Sequence, residues 1–235
     1  MRHRTVGDLM TRGVVRAERE TPFKAVVQLL ADHDVTALPV VDGLGHPVGV
    51  VSEADVLRTV AARPDPAGQP LVPPRFNGSR PGDGRLTAGD LMSEPAVCAR
   101  PEWTVVEAAR VMDSEGVKRL PVVDETDLLV GIVSRADLLR VFLRRDEALH
   151  DEIVGEVLGT TLGLAPTDVA VDVREGRVSL KGHVENGELV PVVERLCLGV
   201  DGVVSVTAEL TFPFGSLGRP GPARPARDAR RDTDR

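Results

Sequence analysis

A serine followed three residues later by an aspartate, directly after an apolar run, occurs twice: Ser52 with Asp55, and Ser134 with Asp137. Each run, Val48–Val51 and Val130–Val133, reads as a buried strand, so each serine falls where a helix opens. Backbone amides at a helix start lack intrahelical partners and favour an anion. A serine hydroxyl there adds a donor for a phosphate, and a carboxylate one turn on accepts both hydroxyls of a ribose. The same spacing also suits a capping box, in which both side chains do no more than satisfy backbone amides. Spacing alone leaves both readings open, and for the serines they are compatible.

The second candidate is cationic. Lys118-Arg119 precedes Leu120-Pro121-Val122-Val123, whereas the matching Leu38-Pro39-Val40-Val41 is preceded by Thr36-Ala37. A planar guanidinium suits bidentate contact with phosphate. The competing reading is a solvated pair at a strand edge.

These residues belong to an internal repeat. Thr5–Arg58 and Thr87–Arg140 align without a gap at an offset of 82, with 22 identities in 54 positions. The identities cluster in the opening Gly-Asp-Leu-Met (from Gly7 and Gly89), the central Leu-Pro-Val-Val-Asp, and the closing Gly-x-Val-Ser-x-Ala-Asp (from Gly49 and Gly131). Two copies of one unit bury their apolar faces against each other. In the first copy Thr21-Pro22 predicts an N-cap and first helical residue, with Val26, Leu29 and Leu30 as the apolar stripe. In the second, Thr104 and Glu107 predict a capping box ahead of Ala108, Val111 and Met112. β-rich runs follow at Val35–Val41 and Val117–Val123, and a strand is expected before each first helix, at Val14–Ala17 and Val97–Ala99.

Five segments result: a first unit 1–60, a Pro/Gly-rich connector 61–84, a second unit 85–145, a small domain 146–212, and a disordered Pro/Gly/Arg tail 213–235. In the small domain Leu149, Ile153, Val157 and Leu158 form a helical stripe. Strands are expected at Val169–Arg174, Val178–Val184 and Val203–Leu210, with a helix ending near Leu198. The fold class is α/β (α+β): two pseudo-symmetric units forming one module, plus a C-terminal αββαβ domain.

The three repeated blocks resemble the cystathionine-β-synthase (CBS) domain, present here as a tandem pair. Leu180-Lys181-Gly182 and Asp201-Gly202-Val-Val-Ser-Val206 resemble the BON domain. The CBS resemblance implies an adenosine nucleotide (AMP, ADP or ATP) or S-adenosylmethionine held at Ser52, Asp55, Ser134 and Asp137, with Asp on the ribose. It implies a phosphate reached by Lys118 and Arg119, which favours a phosphorylated ligand in one cleft and something less charged, or nothing, in the other. It also implies a homodimer formed through helices. Val14, Val15, Ala96 and Val97 wall an adenine or are plain core.

Composition excludes several other roles. Lys plus Arg is 29 against 36 Asp plus Glu, a net charge of −7, and only 3 % of residues are aromatic, which disfavours nucleic acid. No apolar run reaches the ~18–20 residues that span a bilayer, no secretory leader is seen, and two cysteines make no disulfide framework, so a cytoplasmic setting is expected. His3, His33, His46, His150 and His183 are scattered, and neither Cys98 nor Cys197 has a neighbour at metal-ligand spacing. No nucleophile with its base is seen, so no enzyme is expected. Two functions remain: a regulatory sensor of an adenosyl ligand, or a ligand-free scaffold whose BON-like domain contacts a partner or phospholipid surface. For the scaffold, the basic tail with Arg219, Arg224, Arg227, Arg230 and Arg231 would supply the membrane attraction.

Overall fold

The computed structural model describes residues 3–61 and 86–213. The connector and the basic tail fall almost wholly outside them. The chain divides at Leu143/Arg144 into two compact units.

In the first unit each repeat is wound the same way. The first copy runs α1 (Val6–Leu9), β1 (Ala17–Glu18), α2 (Phe23–Asp32), β2 (Ala37–Val41), β3 (Pro47–Ser52) and α3 (Glu53–Ala61). The second runs α4 (Ala88–Leu91), α5 (Val105–Ser114), β4 (Arg119–Val123), β5 (Leu129–Ser134) and α6 (Arg135–Leu139), closed by a 3-10 turn at Arg140–Leu143. β2 pairs antiparallel with β3, as β4 does with β5, and β1 lies parallel to β2. The counterpart of β1 is one parallel bridge, Ala99 to Val122.

Two local expectations are corrected. Thr21 does not cap α2. Pro22 is the N-cap residue, and the Thr21 hydroxyl accepts from the Glu18 amide at 2.9 Å. Proline suits a position whose amide has no helical partner. Thr104, which aligns with Pro22, closes the expected capping box with Glu107. The strands expected at Val14–Ala17 and Val97–Ala99 are pared back, leaving Val14, Val15, Ala96 and Val97 half-buried outside the sheets.

The repeats exchange their opening helices. Val6, fully buried, packs among Leu120, Val122 and Val133 of the second copy, with Leu9 and Met10 against the same cluster. Ala88, Leu91 and Met92 pack among Val26, Leu38, Val40 and Val51 of the first copy. Backbone bonds lock the exchange: the Val6 amide donates to the Trp103 carbonyl and the Ala88 amide to the Thr21 carbonyl, both at 2.8 Å. Gly49 and Gly131 exist for this contact. A Cβ on Gly49 would lie 2.5 Å from the Met92 sulfur and 2.9 Å from the Ser93 carbonyl oxygen. On Gly131 it would lie 2.4 Å from the Met10 sulfur. Asp8 and Asp90 accept from the amides of Thr5 and Thr87 at 2.9 and 2.8 Å, closing the first turn of each short helix.

The second unit runs α7 (Asp146–Glu152), a π-helical stretch Ile153–Thr161, β6 (Val169–Arg174), β7 (Arg177–His183), α8 (Leu189–Leu198) and β8 (Ser205–Thr211). The sheet order is β6-β7-β8, antiparallel then parallel. The expected stripe Leu149, Ile153, Val157 and Leu158 is buried, facing Val169, Leu180, Val193 and Cys197. Glu175 and Gly176 turn the hairpin with φ of 51° and 72°, the left-handed pair such turns need, and the Asp146 carboxylate accepts from both amides. Gly182 has no room for a side chain, since its Cβ would stand 2.0 Å from the Asp168 carbonyl oxygen.

Candidate functional site: two clefts on one seam

The exchange brings the sequence-predicted residues together crosswise. One cavity of about 710 Å³ combines Val14 and Val15 of the first repeat with Ser134 and Asp137 of the second. Another, of about 590 Å³, combines Ser52 and Asp55 with Ala96 and Val97. Both volumes fall in the range of small-molecule pockets, roughly 300–1,000 Å³. Lys118 and Arg119 line both cavities, together with Thr36 and Ala37. The expectation that Arg119 marks one cleft is therefore corrected: β4 starts at the partition between them, and Arg119 reaches either side.

Each serine and aspartate forms a cap. The Ser52 amide and hydroxyl donate to Asp55 Oδ2 at 2.8 and 2.6 Å, and those of Ser134 to Asp137 Oδ2 at 2.9 and 2.6 Å. The first helical amides are engaged as well, Glu53 N donating to the Thr36 carbonyl and Arg135 N to that of Lys118. Capping thus holds one carboxylate oxygen and the serine proton, and the other oxygen carries the difference between the clefts. Asp55 Oδ1 lies 2.6 Å from the Arg58 guanidinium, and Asp55 is 5 % exposed. Asp137 Oδ1 stands 3.5 Å from Arg140, and its side chain is 13 % exposed.

Charges at the partition complete the site. Arg119 donates to the Thr36 hydroxyl across the seam. Burial pushes its pKa below the ordinary value, opposed by the carboxylates of Glu53 and Asp137. Glu53 is exposed and lines the Asp55 cleft. Its counterpart Arg135 lines the Asp137 cleft but donates to the carbonyls of Val117 and Met112 at 3.1 and 3.2 Å. Glu53 and Arg58 carry no motif in the sequence, and Thr36 enters it only as the uncharged counterpart of Lys118. The alignment at offset 82 marks Thr36 and Glu53, each a mismatch next to an identical residue.

A tandem βαββα pair with two related clefts across its seam is a class of module in its own right, and family models place it. Residues 6–62 and 88–144 match the CBS domain, and residues 146–213 match the BON domain. The chain belongs to the CBS-domain proteins, with a BON domain behind the pair. An uncharacterized protein of Methanopyrus kandleri is 26 % identical over 141 residues, 60 % of this chain and 64 % of that one. The crystal structure of CBSX2 of Arabidopsis thaliana in complex with AMP is 29 % identical, covers 60 % of this chain and 96 % of that one, and superposes with a TM-score of 0.45. A CBS domain pair crystallised with 5′-methylthioadenosine and S-adenosyl-L-methionine is 22 % identical over 60 % of this chain and 97 % of that one, with a TM-score of 0.48.

Proposed function

We propose that the chain is a non-enzymatic regulatory sensor that binds an adenosine nucleotide, with the Asp137 cleft as its principal site. One observation carries this reading. A single cavity holds an apolar wall (Val14, Val15), a carboxylate with its outer oxygen only loosely engaged (Asp137), and two cations (Lys118, Arg119). Those are the surfaces that a base, a ribose and a phosphate respectively require. Ser134 supports the site by holding Asp137 in place, and Ser52 with Asp55 forms the second, tighter cleft.

The sensor acts in the cytoplasm as a homodimer, with the faces of α3 and of α6 and its following 3-10 turn at the interface. Equivalent positions expose apolar side chains in both repeats, Leu57 (64 %) with Leu139 (61 %) and Val60 (47 %) with Phe142 (50 %). No helix among the described residues is long and apolar enough to cross a membrane.

Thermal melting of the full chain with AMP, ADP, ATP, S-adenosylmethionine and NAD tests the reading. A ligand at 100 times its dissociation constant adds about 2.7 kcal/mol to stability. If no member of the panel raises the melting temperature, the reading is wrong.

A further inference from the structure

The two clefts share their cations. Lys118 and Arg119 line both cavities, and the aligned positions in the first repeat, Thr36 and Ala37, offer no charge. Among the described residues the remaining basic side chain of the Asp55 cleft, Arg58, is bonded to Asp55 itself at 2.6 Å. Arg119 stands between carboxylates that line different clefts, Glu53 in one and Asp137 in the other, and bridges the partition to Thr36. A guanidinium that turns a bidentate pair of N–H groups onto a phosphate in one cavity has fewer donors left to present to the other.

We propose that the clefts are mutually antagonistic toward phosphorylated ligands, because a phosphate bound in one draws the shared Arg119 away from the other. The proposal rests on the nucleotide reading above. The Asp137 cleft takes the first phosphate. The Asp55 cleft is then left with Lys118 alone of the shared cations opposite the Glu53 carboxylate, and it accepts an adenosyl ligand that is neutral or cationic more readily than a second phosphate. Coupling of this kind is a difference in binding free energy between two sites, so it is reciprocal.

Isothermal titration of the full chain with AMP reads it directly. The wild type is expected to show two classes of site per chain, at least tenfold apart. Arg119→Ala collapses the gap to within threefold by weakening the tighter class. Glu53→Gln narrows it at least threefold by strengthening the weaker class, and because Glu53 is exposed this second variant keeps the test open if Arg119→Ala fails to fold. Two equal AMP sites in the wild type would overturn the antagonism while leaving the nucleotide reading intact, as would a tenfold gap that survives in both variants. Absence of any AMP binding would instead overturn the nucleotide reading itself.

Discussion

The seam of exchanged helices and the clefts beside it descend from the same 54-residue repeat, yet they have diverged to different degrees. At the seam, Gly7-Asp8-Leu9-Met10 is matched residue for residue by Gly89-Asp90-Leu91-Met92, and Gly49 by Gly131. In the clefts, Thr36-Ala37 is matched by Lys118-Arg119, and Glu53 by Arg135. A backbone carbonyl close to where each Cβ would sit, Ser93 at 2.9 Å for Gly49 and Thr11 at 3.2 Å for Gly131, leaves little latitude behind the methionine, because interiors are close-packed and respond to a single added carbon. A cleft residue answers to charge, which changes without moving the backbone. Identity at Gly-Asp-Leu-Met and at Gly49 and Gly131 therefore marks packing, and the mismatches at the partition mark the charge that separates two cavities built on the same Ser-x-x-Asp cap.

The largest expected effect lies at the seam. Gly49→Ala and Gly131→Ala should each cost about 1–3 kcal/mol in urea unfolding, the usual penalty of overpacking. Full stability in both variants would break the account of the exchange. Next come the caps, where Asp55→Ala and Asp137→Ala should each cost about 1 kcal/mol. The two should differ in binding, with Asp137→Ala weakening the tighter AMP site about tenfold and Asp55→Ala leaving it within twofold. Equal losses of affinity would erase the distinction between the clefts.

The smallest effect concerns acid stability. The His46 amide, chief among several hydrogen bonds to Asp42, holds that carboxyl at about 2, below its ordinary 3.8. The folded state therefore gives up this proton more readily than the unfolded chain does. The stabilisation is present above pH ~4 and is lost as pH falls toward ~2. Asp42→Asn should flatten the melting temperature against pH only in that window. An unchanged acid limb would show that the loop hydrogen bonds contribute nothing to folding.

Much of the fold was legible because local signals and burial agreed. The stripes at Val26 and Leu30, and at Ala108 and Met112, are buried as their periodicity requires. The alternating runs Val169–Arg174 and Val178–Val184 pair as the hairpin their spacing requires. Other features were hidden for physical reasons. Val14-Val15 has high β propensity, but tertiary placement leaves it outside the sheet as cleft wall. The π winding of Ile153–Thr161 keeps Ile153, Val157 and Leu158 buried together, as an α-helix would, so hydrophobic spacing could not reveal it. Helix exchange is a non-local choice that the repeat pattern leaves open. In the clefts, Ser134 and Asp137 were legible from their spacing, whereas the roles of Thr36 and Glu53 depend on a neighbour 83 and 66 residues away, Arg119.

The most direct test of the central claim is a crystal structure of the full chain grown with saturating AMP. The account predicts the ribose hydroxyls on the outer oxygen of Asp137, the base against Val14 and Val15, and the phosphate on Arg119. AMP seated elsewhere, or both clefts empty at saturation, would contradict it.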